Sequence, residues 1–161
     1  MAARAQIAVL ALDVLKGFVP VAVAGRWGGA GGIEARWFEI AAACAGILGH
    51  LFSPYLRFSG GKGIATSAGA FLALQPWAFL GAFAVWGAVF ARRRIMSLAS
   101  ICGAVSLPVL VYATGRLGIG DSHWSMLAAS SIIMAVVVVK HRSNIQRLLR
   151  GTEAALSRKK G

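Results

Sequence analysis

The chain is predicted to be all-α: a polytopic integral membrane helical bundle of about six membrane segments, some short, with a cytoplasmic amphipathic C-terminal helix. Three observations predict this. Of the 161 residues, 58% are hydrophobic and 14% charged, against roughly 45–50% and about 25% in soluble domains. The mean hydropathy is +0.71. The charged residues gather at the ends of apolar stretches instead of being spread through them. At ~20 residues per crossing there is room for about five to six crossings. One compact domain over 1–161 is expected, with 140–161 as its basic tail.

The elements follow in order. Segment one runs from about Ile7 to Ala24 and carries Asp13 and Lys16. Three apart, these share a helical face. Ionisable groups inside a span are costly and are usually paired or turned to a polar cavity. Gly25 to Gly32 reads as a flexible external loop. Segment two, about Phe38 to Phe52, ends in Gly49-His50. A loop follows from Ser53 to Gly63. Two short apolar pieces come next, Ile64 to Leu74 and Pro76 to Ala91, divided at Gln75-Pro76 because proline cannot donate to a helix ladder. At 1.5 Å per residue the first of these spans only about 17 Å, short of a ~30 Å core. Segment five is about Ile95 to Ala113 and holds Ser97 and Ser100. Segment six is about Trp124 to Val139. From Lys140 the tail is a polar helix candidate, with Ile145, Leu148, Leu149 and Leu156 near one face, expected to lie on the membrane surface.

The net charge of +12 argues for lipid headgroups and membrane orientation, not for nucleic acid. No basic stripe is interleaved with exposed aromatics. If the tail is cytoplasmic, 13 of the 17 basic residues fall inside and three outside, Arg26, Arg36 and Arg116, with Lys16 within a span. That satisfies the positive-inside rule. It also puts Lys62, Ser97, Ser100, His141 and Asn144 on one cytoplasmic face. Cys44 and Cys102 sit in apolar segments as small packing residues. No metal-ligand spacing occurs, and neither a metal nor an organic cofactor is expected.

The turn GGKGIATS, Gly60 to Ser67, is the strongest local signal. Glycines let backbone N–H groups face an anion, the lysine adds charge, and a following helix adds the positive end of its dipole. Gly60, Gly61, Lys62, Gly63 and Thr66 are therefore candidate phosphate-binding residues. Gly63 follows the lysine where a Walker motif needs Ser or Thr, which argues against ATP hydrolysis. Lys62, Ser97, Ser100, His141 and Asn144 are the candidate catalytic residues: rich in donors and poor in carboxylates, they suit a phosphorylated substrate. His50, Asp13, Lys16 and Glu153 are expected in supporting roles. Each has a plainer reading. The turn can be only a turn, the serines can bond back to their own helix, His141 can be interfacial charge, and Asp13 with Lys16 can be a structural pair.

Four stretches taken together go further. LDVLKG (Leu12 to Gly17), GHLFSPYLRFSGGKGIATSAG (Gly49 to Gly69), RRRIMSLASI (Arg92 to Ile101) and VKHRSNIQRLLRGTE (Val139 to Glu153) resemble the bacterial acyl-phosphate:glycerol-3-phosphate acyltransferase family, in order and spacing, from Leu10 to Glu153. The resemblance implies an inner-membrane enzyme, active on the cytoplasmic face, that moves a fatty acyl group from acyl phosphate to the 1-hydroxyl of glycerol 3-phosphate. It implies phosphate binding at Gly60, Gly61, Lys62 and Gly63, a functional serine at Ser97 or Ser100, and roles for His141 and Asn144 with Glu153 as the acidic end of that block. The partners implied are the two substrates and membrane lipids, and a monomer is expected. Family members carry a further N-terminal helix and a Ser/Gly/Asn-rich motif ending in Arg, which Met1 to Leu10 does not resemble. On that ground low or no activity is expected of the polypeptide alone. A small transporter, with Asp13, Lys16 and His50 along a polar path, and an inactive family member are the alternatives.

Overall fold

A computed structural model of the protein describes residues 2–27, 33–52 and 61–156. Gly60, the rest of the 53–60 loop, residues 28–32 and residues 157–161 lie outside the described residues. The elements are α1 (Ala2–Trp27), α2 (Ile33–Leu51), α3 (Ile64–Leu74), α4 (Pro76–Arg93), α5 (Met96–Arg116), α6 (Trp124–Lys140) and α7 (Arg142–Leu149). No strand occurs among the described residues. The chain clusters into two compact units, Met1–Pro76 and Trp77–Gly161.

In the first unit α1 packs on α2 and α3. Its lipid-type side chains Ile7, Leu10, Leu12, Val19 and Val23 are exposed, as suits a helix whose solvent is hydrocarbon. The α1–α3 contact is made by glycines. A Cβ at Gly17 would lie 1.9 Å from the Thr66 carbonyl oxygen, and one at Gly69 would lie 2.0 Å from that of Val14. Hydrogen is the only substituent that fits either point, and each Cα–H then meets a carbonyl of the other helix. α3 stops at Leu74 because the residue before a proline is driven out of the helical region. Gln75, at φ −145°, still donates its N–H to Phe71 O at 2.8 Å.

In the second unit α4 carries an aromatic ladder, Phe79, Phe83, Trp86 and Phe90, at helical spacing with ring centroids 5.3–5.9 Å apart. Gly103 of α5 lets the Ala82 carbonyl and Trp86 of α4 come close. α5 packs on α6, and α6 and α7 meet at a bend of 61°.

Among the described residues two helices are long and apolar enough to cross a membrane singly, over Ala5–Trp27 and Met96–Arg116, and the bent pair α6–α7 makes a third if taken as one span. The sequence led us to expect about six segments. The helices stand where those segments were placed, but α3 is short and α2 carries Arg36, Glu39 and His50. The terminal helix is shorter than its apolar pattern. It closes at Arg150 with a Schellman motif, Gly151 N–H to Leu148 O at 3.1 Å and Thr152 N–H to Arg147 O at 2.9 Å. Gly151 takes φ +68°, which only glycine adopts cheaply. Leu156 lies beyond the helix, its N–H held by the Arg94 carbonyl at 2.8 Å.

Candidate active site

The glycine turn enters α3 directly. Gly63 is the N-cap, in the left-handed region at φ +75°, and offers no side chain to cap the helix. The first ladder bond runs from Ser67 N–H to Gly63 O at 2.8 Å. The N–H groups of Ile64, Ala65 and Thr66 therefore lack a partner within the helix, and they sit at its positive end. Gly61 and Lys62 are exposed just before them. The Thr66 and Ser67 hydroxyls are buried and have no hydrogen-bond partner among the described residues. A buried hydroxyl without a partner costs free energy, so this pair is a feature that asks for a ligand or a function.

Against the turn lies a charged cluster. Lys16 Nζ donates to Asp13 Oδ1 at 2.8 Å, and His50 Nδ1 stands 3.4 Å from the same oxygen. The Asp13 and His50 side chains are 19% and 13% exposed, that of Lys16 58%. Asp13 thus has two cationic or potentially cationic neighbours inside a membrane segment, which is how such a carboxylate is tolerated.

The second unit holds a polar group of its own. Glu153 Oε1 accepts from Ser97 Oγ and from Asn144 Nδ2, each at 2.6 Å, and its Oε2 accepts from Arg147 Nε at 2.6 Å. Three donors favour the ionised form. The hydrogen bond from Ser97, then those from Asn144 and Arg147, hold this carboxyl at about 2, below its ordinary 4.5. Glu153 thereby ties the tail to α5 and α7. His141 is the joint of the α6–α7 bend and is buried. Its Nδ1 donates to Val137 O at 2.8 Å; a carbonyl can only accept, so the proton on Nδ1 is fixed. Ser100 is buried one turn beyond Ser97.

Of the residues expected from the sequence, the structure brings Ser97, Asn144 and Glu153 together. It also brings Asp13, Lys16 and His50 together, and places Gly61, Lys62, Gly63 and Thr66 at the head of α3. Ser97 is engaged by Glu153, which distinguishes it from Ser100. Sequence reasoning missed Arg147 as a Glu153 partner; the sole signal was its place one turn before a glycine stop. Among the described residues no three His, Cys, Asp or Glu side chains gather as a metal site would need.

Helices with lipid-facing apolar surfaces and polar clusters at their ends define an integral membrane protein. The family model described as glycerol-3-phosphate acyltransferase matches residues 1–151. The chain belongs to that family. A glycerol-3-phosphate acyltransferase of Syntrophotalea carbinolica is 42% identical over 141 residues, covering 88% of this chain and 67% of the relative. One from Trichlorobacter lovleyi is 43% identical, covering 92% of this chain and 71% of the relative. The crystal structure of PlsY (YgiH), an integral membrane glycerol 3-phosphate acyltransferase in its glycerol 3-phosphate form, superposes with a TM-score of 0.82. It is 32% identical, with 96% of this chain and 72% of that chain covered.

Proposed function

We propose that the protein transfers a fatty acyl group from acyl phosphate to the 1-hydroxyl of glycerol 3-phosphate, giving lysophosphatidic acid and phosphate in phospholipid synthesis. The observation that carries this reading is the family match over residues 1–151. Crystal structures of PlsY in glycerol 3-phosphate and lysophosphatidic acid forms support it. In this reading the protein works as a monomer on the cytoplasmic face of the bacterial inner membrane, among lipids that take up its product.

The chemistry asks little of the protein beyond placement. An acyl phosphate is a mixed anhydride with a good leaving group. The glycerol hydroxyl oxygen bonds to the acyl carbon, the bond from that carbon to the phosphate oxygen breaks, and the hydroxyl proton leaves with a phosphate. No covalent enzyme intermediate is required. The demand is to neutralise phosphate charge, hold the hydroxyl at the acyl carbon and exclude water. Gly60, Gly61, Lys62 and Gly63, with the N–H groups at the head of α3 and Thr66, are assigned to a phosphate. Ser100, His141 and Asn144 are assigned to positioning glycerol 3-phosphate, with Ser97 and Glu153 holding Asn144 in place. The donor is tested by supplying acyl phosphate or acyl-CoA to the reconstituted protein. Lysophosphatidic acid from acyl phosphate alone is expected; product from acyl-CoA alone would overturn the assignment.

A further inference from the structure

His50 is placed as no simple packing residue would be. It lies in the last turn of α2, and its Nδ1 faces Asp13 Oδ1 at 3.4 Å. The opposite edge of the ring faces the glycine turn: a Cβ on Gly61 would lie 2.7 Å from His50 Nε2. The missing side chain at Gly61 is what makes room for that nitrogen. The side chain is 13% exposed, so it is not sealed in the core. Asp13 is the carboxylate it faces, and Lys16 binds the same Asp13 oxygen.

These contacts order the ring chemically. Asp13 is an acceptor, so the proton belongs on Nδ1. The other ring nitrogen, Nε2, then faces Gly61 of the turn. We propose that His50 is a substrate-contacting residue of the glycine turn: Asp13 fixes the imidazole through Nδ1, and Nε2 donates to the phosphate held by Lys62 and the α3 N-terminus. This deepens the acyltransferase reading and rests on the turn's binding a phosphate. Lys16 donates to the same Asp13 oxygen at 2.8 Å and holds that side chain in place. The phosphate belongs either to glycerol 3-phosphate or to the acyl donor, and both carry the same recognisable group.

The test is equilibrium binding to the purified protein in lipid, with two probes, glycerol 3-phosphate and a non-hydrolysable acyl phosphonate. His50→Ala is expected to weaken one probe about tenfold, the scale of a charge-assisted hydrogen bond. The affected probe identifies the ligand. His50→Gln, whose amide nitrogen reaches the Nε2 position, is expected to recover most of that loss. His50→Asn, which mimics only the Nδ1 side, is expected to behave like alanine. A purely structural role would instead move the thermal midpoint in step with affinity, whichever amide was present. Lys62→Ala is the companion variant. If Lys62→Ala weakens a probe while His50→Ala binds both normally, the role of His50 is overturned and the turn remains a phosphate site. If both variants bind both probes normally, both readings fall.

Discussion

Replacing Gly17 by alanine should separate α1 from α3, and the size of the effect follows from one distance. The added methyl carbon would lie 1.9 Å from Thr66 O, 2.8 Å from Ala70 N and 2.9 Å from Thr66 C. A carbon needs about 3.3 Å from an oxygen, so the helices must part locally by ~1.4 Å. All three obstructing atoms are backbone, so no side chain can swing aside to relieve the clash. A gap of 0.5–1 Å already forfeits a quarter to a half of a dispersion contact, and overpacking typically costs about 1–3 kcal/mol. The upper end applies here, about 3 kcal/mol, or a drop of roughly 6–12 °C in thermal midpoint for a chain of this size. The displacement also reaches the site. Thr66 is the third residue of α3, whose N-terminal N–H groups follow Gly61–Gly63, so the KM for the phosphate-bearing substrate should rise. Tryptophan fluorescence melting in detergent gives the first number and acyl-transfer kinetics the second. Gly69→Ala strikes the same contact, and the double variant should fall short of the sum of the two. A Gly17→Ala protein with wild-type midpoint and wild-type KM would refute the packing account.

The other predictions concern the turn and the tail. Lys62→Ala should remove most acyl transfer while leaving the melting midpoint within a few degrees, and wild-type turnover would exclude a role for Lys62. Glu153 titrates at about 2, down from 4.5. Its folded value is depressed, so its support for the tail is complete above 4.5 and fades as pH falls toward 2. The protection factor of the Leu156 amide, its exchange corrected for the intrinsic rate at each pH, should therefore fall over that window, and Glu153→Gln should abolish that fall; identical profiles would count against the tie. Gly151→Ala meets open space but must hold φ +68°, so a loss of about 1 kcal/mol is expected from the backbone alone. Unchanged stability in a melt would argue against the Schellman closure.

Much of this architecture is written in local signals. The limits of α3 follow from the glycine turn before Ile64 and the Gln75-Pro76 pair after Leu74, because those residues act on their own backbone. The all-helical membrane class follows from composition and charge placement, and the family from motifs long enough to be specific. What the sequence hides is partnership at a distance. Glu153 meets Ser97, 56 residues away, and nothing local to either residue announces the other. Gly17 and Gly69 are visible as glycines in apolar segments, but not as the two halves of one contact. The apolar spacing of Ile145, Leu148, Leu149 and Leu156 suggests a longer terminal helix than α7. A single left-handed glycine at 151 overrides it, and Leu156 binds the Arg94 carbonyl instead.

The central claim concerns a reaction, and its products test it. Membranes carrying the protein, supplied with acyl phosphate and glycerol 3-phosphate, should yield lysophosphatidic acid and inorganic phosphate in equal amounts, both measured by mass spectrometry and phosphate assay against membranes without it. Phosphate released with no lysophosphatidic acid, or neither product above background, would contradict the account.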